Sequence, residues 1–201
     1  MTSDAHIGLV LDRSGSMTTM WDEAVSGFNT FKNEQAQAEG TAWMTLNYFD
    51  NEAKQKYFAW DCADIEDLST EDDEIFPRSM TALLDATAQT IKDVEKWLSE
   101  NSWFKGKTYV VVITDGMENA SETKPSTLKK MIKEKESAGW EFIYLAANVD
   151  TDATANLYGF DPNKATTYND QSVGAAIAST SQSVLRSRQG DDLSVKRDVR
   201  Q

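Results

Sequence analysis

Apolar runs of strand length alternate along this chain with longer stretches of helical period. Residues 7–11, 43–49, 57–60, 109–113 and 141–146 read as strands, and a short run at 165–168 reads as a last one. Between them lie stripes that place Trp21, Ala24, Val25, Phe28 and Phe31 on one helical face, and Leu84, Ala88, Ile91, Val94 and Leu98 on another. Helices are therefore predicted over 21–36, 81–99 and 124–138, with Gly139 ending the third, a short one over 151–158 closed by Gly159, and a final one over 172–188. Strands alternating with helices indicate a largely parallel sheet covered on both faces. The segments IGLVL and YVVVI are continuously apolar, as central strands buried on both sides must be, and they mark the middle of the sheet. By contrast, MTLNYF and KQKYFAW alternate and are joined by Asp50-Asn51-Glu52, which predicts a hairpin and an antiparallel edge strand. The expected class is α/β, doubly wound and Rossmann-like, with one domain over 1–189 and a loose tail over 190–201.

Composition narrows the chemistry. The chain of 201 residues holds one Cys and one His, which excludes an internal disulfide and any site built from several histidines or cysteines. A hard-metal site must then draw on Asp, Glu and hydroxyl oxygens. The formal charge of −13 opposes nonspecific nucleic-acid binding and docking to anionic lipid. The opening MTSDAHIGLVLD has no basic segment followed by a long apolar run, and no stretch approaches a membrane span, so a cytoplasmic location is expected. Nucleotide binding lacks both GxxxxGK[ST] and GxGxxG.

Three places carry candidate chemistry. The first strand runs into Asp12-Arg13-Ser14-Gly15-Ser16, so a carboxylate and two hydroxyls leave its carboxyl end at alternate positions and share one side. The strand YVVVI runs into Thr114-Asp115-Gly116, bringing a second carboxylate to the same edge if the two strands are parallel neighbours. Ser79-Met80-Thr81 precedes a helix and offers a third hydroxyl. Two carboxylates and three hydroxyls suit Mg²⁺, with Mn²⁺ as an alternative, and the carboxyl edge of a doubly wound sheet is where such a fold binds. The competing reading of Asp12, Ser14 and Ser16 is helix capping, which accounts for neither Thr81 nor Asp115.

These elements resemble the metal-ion-dependent adhesion site of von Willebrand factor A-type domains: Asp12-x-Ser14-x-Ser16, then an isolated Thr81 in SMTALLDA, then Thr114-Asp115-Gly116 after an apolar strand. FIYLAANVD with the following AxxxGF resembles a bacterial and phage-type subset. The resemblance covers residues ~5 to 188 and implies a six-stranded sheet in the order 3-2-1-4-5-6 with a short antiparallel strand 3. It further implies a metal held directly by Ser14 and Ser16, and by Thr81 either directly or through water, with Asp12 and Asp115 acting partly through water. Its implied function is capture of an Asp or Glu of a protein partner in the ion's open position. One departure is the loop Pro77-Arg78-Ser79-Met80, where many members carry a glycine, and this sets the approach to Thr81 differently.

Other residues take plainer readings. Arg13 stands between the site residues and is expected to face solvent or a partner, because a guanidinium is repelled by a dication. Trp21 is expected in the core, while Met17 and Met117 fit either core or an apolar rim. Glu118 and Asn119 read as solvated loop residues and Glu71–Glu74 as a solvated acidic loop. Asn148, Asp150 and Asp152 suit either the rim or a helix N-terminus, and His6 and Cys62 are structural. Two functions compete with partner capture: a haloacid-dehalogenase-like phosphatase using Asp12, which needs a second Asp where this chain has Ser14, and a domain whose metal serves stability alone.

Overall fold

The structure, a computed structural model, describes residues 3–116 and 118–193. Six strands form one sheet: β1 (Ala5–Asp12), β2 (Ala42–Phe49), β3 (Ala53–Asp61), β4 (Lys107–Thr114), β5 (Glu141–Ala147) and β6 (Ala165–Tyr168). Their order is β3-β2-β1-β4-β5-β6, with every neighbour parallel except β3 against β2. All eight residues of β1 are buried, as are seven of the eight in β4, so these two form the centre that their unbroken apolar sequence predicts. Leu9 of β1 stands opposite Leu46 on one side and Val111 on the other.

β3 corrects the expectation of a short strand. It runs for nine residues and is the longest of the six, while β6, with four, is the short one. β3 keeps pace with β2 through two register irregularities between Met44 and Asn47. At the first of these Ala59 takes a φ of 51° and its N–H donates to Thr45 Oγ1 at 3.1 Å. Such bulges twist an edge strand and spoil it as a template for further pairing.

Five helices cover the sheet: α1 (Trp21–Gln37) and α5 (Val173–Arg188) on one face, α2 (Leu83–Glu100), α3 (Pro125–Ser137) and α4 (Thr151–Tyr158) on the other. The alternation of β1 sends Leu9 and Leu11 toward Phe28, Phe31 and Ile177, and Val10 toward Ile91, Val94 and Phe142. Gly27 lets α1 and α5 approach closely: a Cβ there would lie 3.1 Å from the Gly174 Cα and from Ile177. Arg188, at the end of α5, donates to the carbonyls of Gln35, Glu39 and Gly40, at and just past the end of α1, and to that of Ser3 ahead of β1. Beyond it Leu193 is buried in the α1/α5 layer; the rest of the expected tail, 194–201, lies outside the described residues.

His6 and Cys62 are structural, as expected. His6 is buried edge-on to Trp97, meets Thr45 Oγ1 at 2.9 Å, and burial pushes its pKa down to about 3. Cys62 is buried and its thiol is pushed up to about 12. Among the described residues no helix is long and apolar enough to cross a membrane.

Candidate metal centre

β1 and β4 are parallel neighbours, so their carboxyl ends bring Asp12 and Asp115 to one edge. Asp12 closes β1 and is wholly buried. One of its oxygens accepts the Ser14 N–H at 2.6 Å and the other accepts the Thr114 hydroxyl at 2.5 Å. Past it the chain enters a 3-10 turn, Gly15–Met20, which leads into α1. Ser14 occupies the N-cap position of that turn, yet its side chain makes no capping hydrogen bond. Its Oγ instead lies 3.0 Å from Ser16 Oγ, and the Ser16 hydroxyl donates to Asp115 Oδ1 at 2.8 Å. Capping therefore does not account for Ser14.

Gly116 gives the position of the third hydroxyl. A Cβ at Gly116 would stand 3.6 Å from Ser16 Oγ and 3.8 Å from Thr81 Oγ1, so Ser16 and Thr81 flank the residue that follows Asp115. The structure thus brings together all five residues singled out in the sequence, with two chain turns and one distant loop supplying them. Among the described residues no three His, Cys, Asp or Glu side chains cluster, so hydroxyl oxygens are integral to any metal site here.

Electrostatics favour a cation at this place. Burial pushes the Asp12 carboxyl up to about 7, with Asp115 adding to the rise against the hydrogen bonds from Thr114 and Ser14. Burial likewise raises Asp115, opposed by the Ser16 hydroxyl and assisted by the charge of Asp170. Asp115 Oδ2 is buried without a hydrogen-bond partner among the described residues. An orphaned carboxylate oxygen costs free energy unless a cation or water meets it, and beside three hydroxyl oxygens it fits a hard divalent ion.

The loops are held by contacts that sequence distance conceals. The Gly15 N–H donates to the Ser79 carbonyl at 3.1 Å and the Arg78 N–H to the Arg13 carbonyl at 2.8 Å, which ties the loop before Thr81 to the Asp12–Ser16 loop. Thr81 and Asn119 pair reciprocally, N–H to side-chain oxygen at 2.9 Å and N–H to carbonyl at 3.1 Å. Glu118 accepts the Leu84 N–H at 3.0 Å and also binds Ala120 and Ser121. Glu118, half-buried, and Asn119, exposed to solvent as its sequence setting suggests, thus also act as structural pins. Asn119 also bears on why α2 begins at Leu83 and not at 81: the Thr81 carbonyl accepts the Asn119 N–H, while the Asp85 N–H that would have met it donates to Ser121 Oγ. Asn148, in the left-handed region with φ 57°, donates to the Asp115 carbonyl at 3.3 Å, and the Tyr168 hydroxyl donates to that of Thr114 at 2.7 Å. Asp150 caps α4 through the Ala153 N–H.

Arg13 corrects the sequence reading. It is fully buried, ion-paired to Asp50 at 2.9 Å, donates to the Glu74 carbonyl, and lies 4.5 Å from the Tyr48 ring centroid. The alternation that turns Asp12 and Ser14 to one side turns Arg13 to the other, toward the β2–β3 turn and away from the oxygen cluster. Asp50, read from sequence as a turn residue, is its counter-ion. Met17 and Trp21 are buried in the core, which resolves Met17 away from the rim; Met117 lies outside the described residues.

Ser79 holds φ 63° next to the site, where a residue with a Cβ is strained. Ser79→Gly is expected to raise the unfolding free energy by about 0.5–1 kcal/mol in a urea titration, the strain relieved outweighing the added freedom of the unfolded chain. A loss of stability would show that the serine side chain anchors the loop.

No protein-family model and no curated protein sequence matches the chain. Solved structures do. The von Willebrand factor domain of the type V pili tip protein Mfa5 from Porphyromonas gingivalis superposes with a TM-score of 0.65 at 11% identity, covering 96% of this chain and 99% of that one. Proximal thread matrix protein 1 from the mussel byssus, solved with a zinc-occupied MIDAS motif, gives 0.62 at 14% identity over 92% of this chain and 46% of its own. Manganese-loaded TRAP protein from Plasmodium vivax gives 0.56 at 13%, covering 86% and 71%. The chain spans just under half the length of the mussel protein. The strand order with its single antiparallel edge, the oxygen cluster at the carboxyl ends of β1 and β4, and these superpositions together give the chain the fold of a von Willebrand factor A domain.

Proposed function

We propose that this chain is a divalent-metal-dependent protein-binding module. Ser14, Ser16 and Thr81 would hold Mg²⁺ or Mn²⁺ through their hydroxyls, with Asp12 and Asp115 balancing its charge partly through water. When bound, the ion supplies an electrophilic position that a partner's Asp or Glu carboxylate completes. Asp12 serves as the fixed anion at the base, since both its oxygens are already engaged by Ser14 and Thr114. Asp115 keeps one oxygen open and orients Ser16 with the other.

The observation that carries this reading is the buried Asp115 Oδ2, unpartnered among the described residues, beside the Ser16–Ser14 hydroxyl pair. Further support comes from solved structures of the same fold, whose metals are manganese in one and zinc in a MIDAS motif in another. The chain's own charge of −13 slows the approach of an acidic partner, but a dication reverses the sign locally and salt screens the remainder beyond ~8 Å. No turnover is involved, and where a phosphatase of the alternative type needs its second aspartate this chain has Ser14.

Affinity capture from a lysate of the source cell tests the reading. Immobilised wild type in millimolar Mg²⁺ is expected to retain a protein that EDTA elutes and that an Asp115→Ala column does not retain. The same catch with Mg²⁺ and with EDTA would rule out capture through the ion.

A further inference from the structure

Asp50 is shared by two guanidinium groups. Its side chain is only 4% exposed, and its Oδ2 meets Arg13 Nη2 at 2.9 Å and Arg78 Nε at 3.1 Å, while Oδ1 accepts the Glu52 N–H at 3.0 Å. The two guanidiniums meet the same carboxylate oxygen, so Asp50 serves one of them only in part. Arg13 cannot be the one served in part, because it is buried and depends on Asp50 as its counter-ion. Arg78 can: its side chain is 53% exposed, and among the described residues only its Nε is engaged by a side chain, leaving the terminal nitrogens of a planar fork unused. If Arg78 swings outward, Asp50 stays neutralised by Arg13, so the internal cost of the movement is small.

The position of this cation matters. Arg78 and Ser79 are hydrogen-bonded directly to Arg13 and Gly15, within the loop that carries Ser14 and Ser16. Met80, next in the chain and immediately before Thr81, is 53% exposed. A half-exposed guanidinium with unused terminal nitrogens and an adaptable apolar side chain therefore belong to the loop tied by its backbone to the candidate metal site, and Arg78 reaches that site's edge when it swings off Asp50.

We propose that residues 78–80 read the partner: the occupant is an acidic segment of a protein with two carboxylates, the first completing the metal and the second held by the fork of Arg78, with an apolar side chain between them against Met80. This rests on the metal-capture reading and specifies the partner it takes. A guanidinium suits the task because it pairs a carboxylate through two parallel hydrogen bonds, which a lysine ammonium does not.

Fluorescein-labelled peptides in a glycine background give the test, read by fluorescence polarisation in millimolar Mg²⁺ and in EDTA. One set has two glutamates separated by one or two leucines, and a matched set replaces the second glutamate with glutamine. Wild type in Mg²⁺ is expected to prefer the doubly acidic set by about tenfold. In Arg78→Ala that preference falls to near unity while affinity for the glutamine set stays the same, and Arg78→Lys restores only part of it. Melting curves confirm that both variants are folded. If Mg²⁺-dependent binding persists but the preference is absent from wild type or survives in Arg78→Ala, the role of Arg78 is overturned and metal capture stands. If wild type shows no Mg²⁺-dependent binding to either set, capture fails and the proposal fails with it.

Discussion

Arg13→Ala is expected to lower the unfolding free energy by about 3–5 kcal/mol, because it leaves the Asp50 carboxylate buried without its one buried counter-ion. The loss has three parts: the ion pair at 2.9 Å, the hydrogen bond to the Glu74 carbonyl, and the guanidinium packed over Tyr48. Arg78 offsets little of it, since that side chain is half-exposed and its pairing is screened by water. Urea unfolding of Arg13→Ala, Asp50→Asn and the double variant separates the pairwise part, and the double variant should be clearly less destabilised than the sum of the singles. A loss below ~1 kcal/mol in Arg13→Ala would mean that the pair is hydrated and the loop is held by backbone contacts alone.

Asp12→Asn is expected to act with opposite signs in the absence and presence of metal. Burial holds the Asp12 carboxyl at about 7 in the metal-free fold, above its usual value of 3.8. A carboxyl raised in this way keeps its proton longer in the folded than in the unfolded chain. Metal-free stability therefore falls as pH rises through the window from about 4 to about 7. Asparagine removes that cost and fits the site: its oxygen still accepts the Ser14 N–H and its amide donates to Thr114 Oγ1, whose hydroxyl is free to turn to the Gly116 carbonyl at 3.4 Å. In EDTA at pH 8, Asp12→Asn should melt ~5 °C above wild type, an advantage of about 2 kcal/mol that shrinks as pH is lowered toward 4. In millimolar Mg²⁺ wild type should rise while the variant stays where it was. A variant that melts below wild type in EDTA at pH 8 would show that Asp12 is not a burdened anion there.

Much of the architecture was legible because it rests on local periodicity. The unbroken IGLVL and YVVVI marked the central strands, and Gly159 closed α4 at the expected residue, in the left-handed conformation. Asp12, Ser14 and Ser16 could be placed on one side by the alternation of a strand, and Asp115 by the parallel pairing of β1 with β4. What escaped depends on contacts between residues far apart in sequence. Arg13 was misread because adjacency to Asp12 suggested repulsion from an ion, whereas the same alternation carries its side chain to Asp50, 37 residues on. The pinning by Glu118 and Asn119 escaped because their partners, Leu84 and Thr81, lie 34 and 38 residues back. The length of β3 was legible, since KQKYFAW covers 54–60 of Ala53–Asp61; the short strand was implied by the family resemblance alone, and only the bulges, set by β2, have no trace in the pattern.

The central claim is that Asp12, Ser14, Ser16, Thr81 and Asp115 form one divalent-cation site. Calorimetric titration of Mn²⁺ into wild type and into Asp115→Ala at neutral pH addresses it most directly. The account predicts saturation at one equivalent in wild type and no binding in the variant. Absence of heat and of any melting shift up to millimolar Mn²⁺, or equal binding by the two proteins, would contradict it.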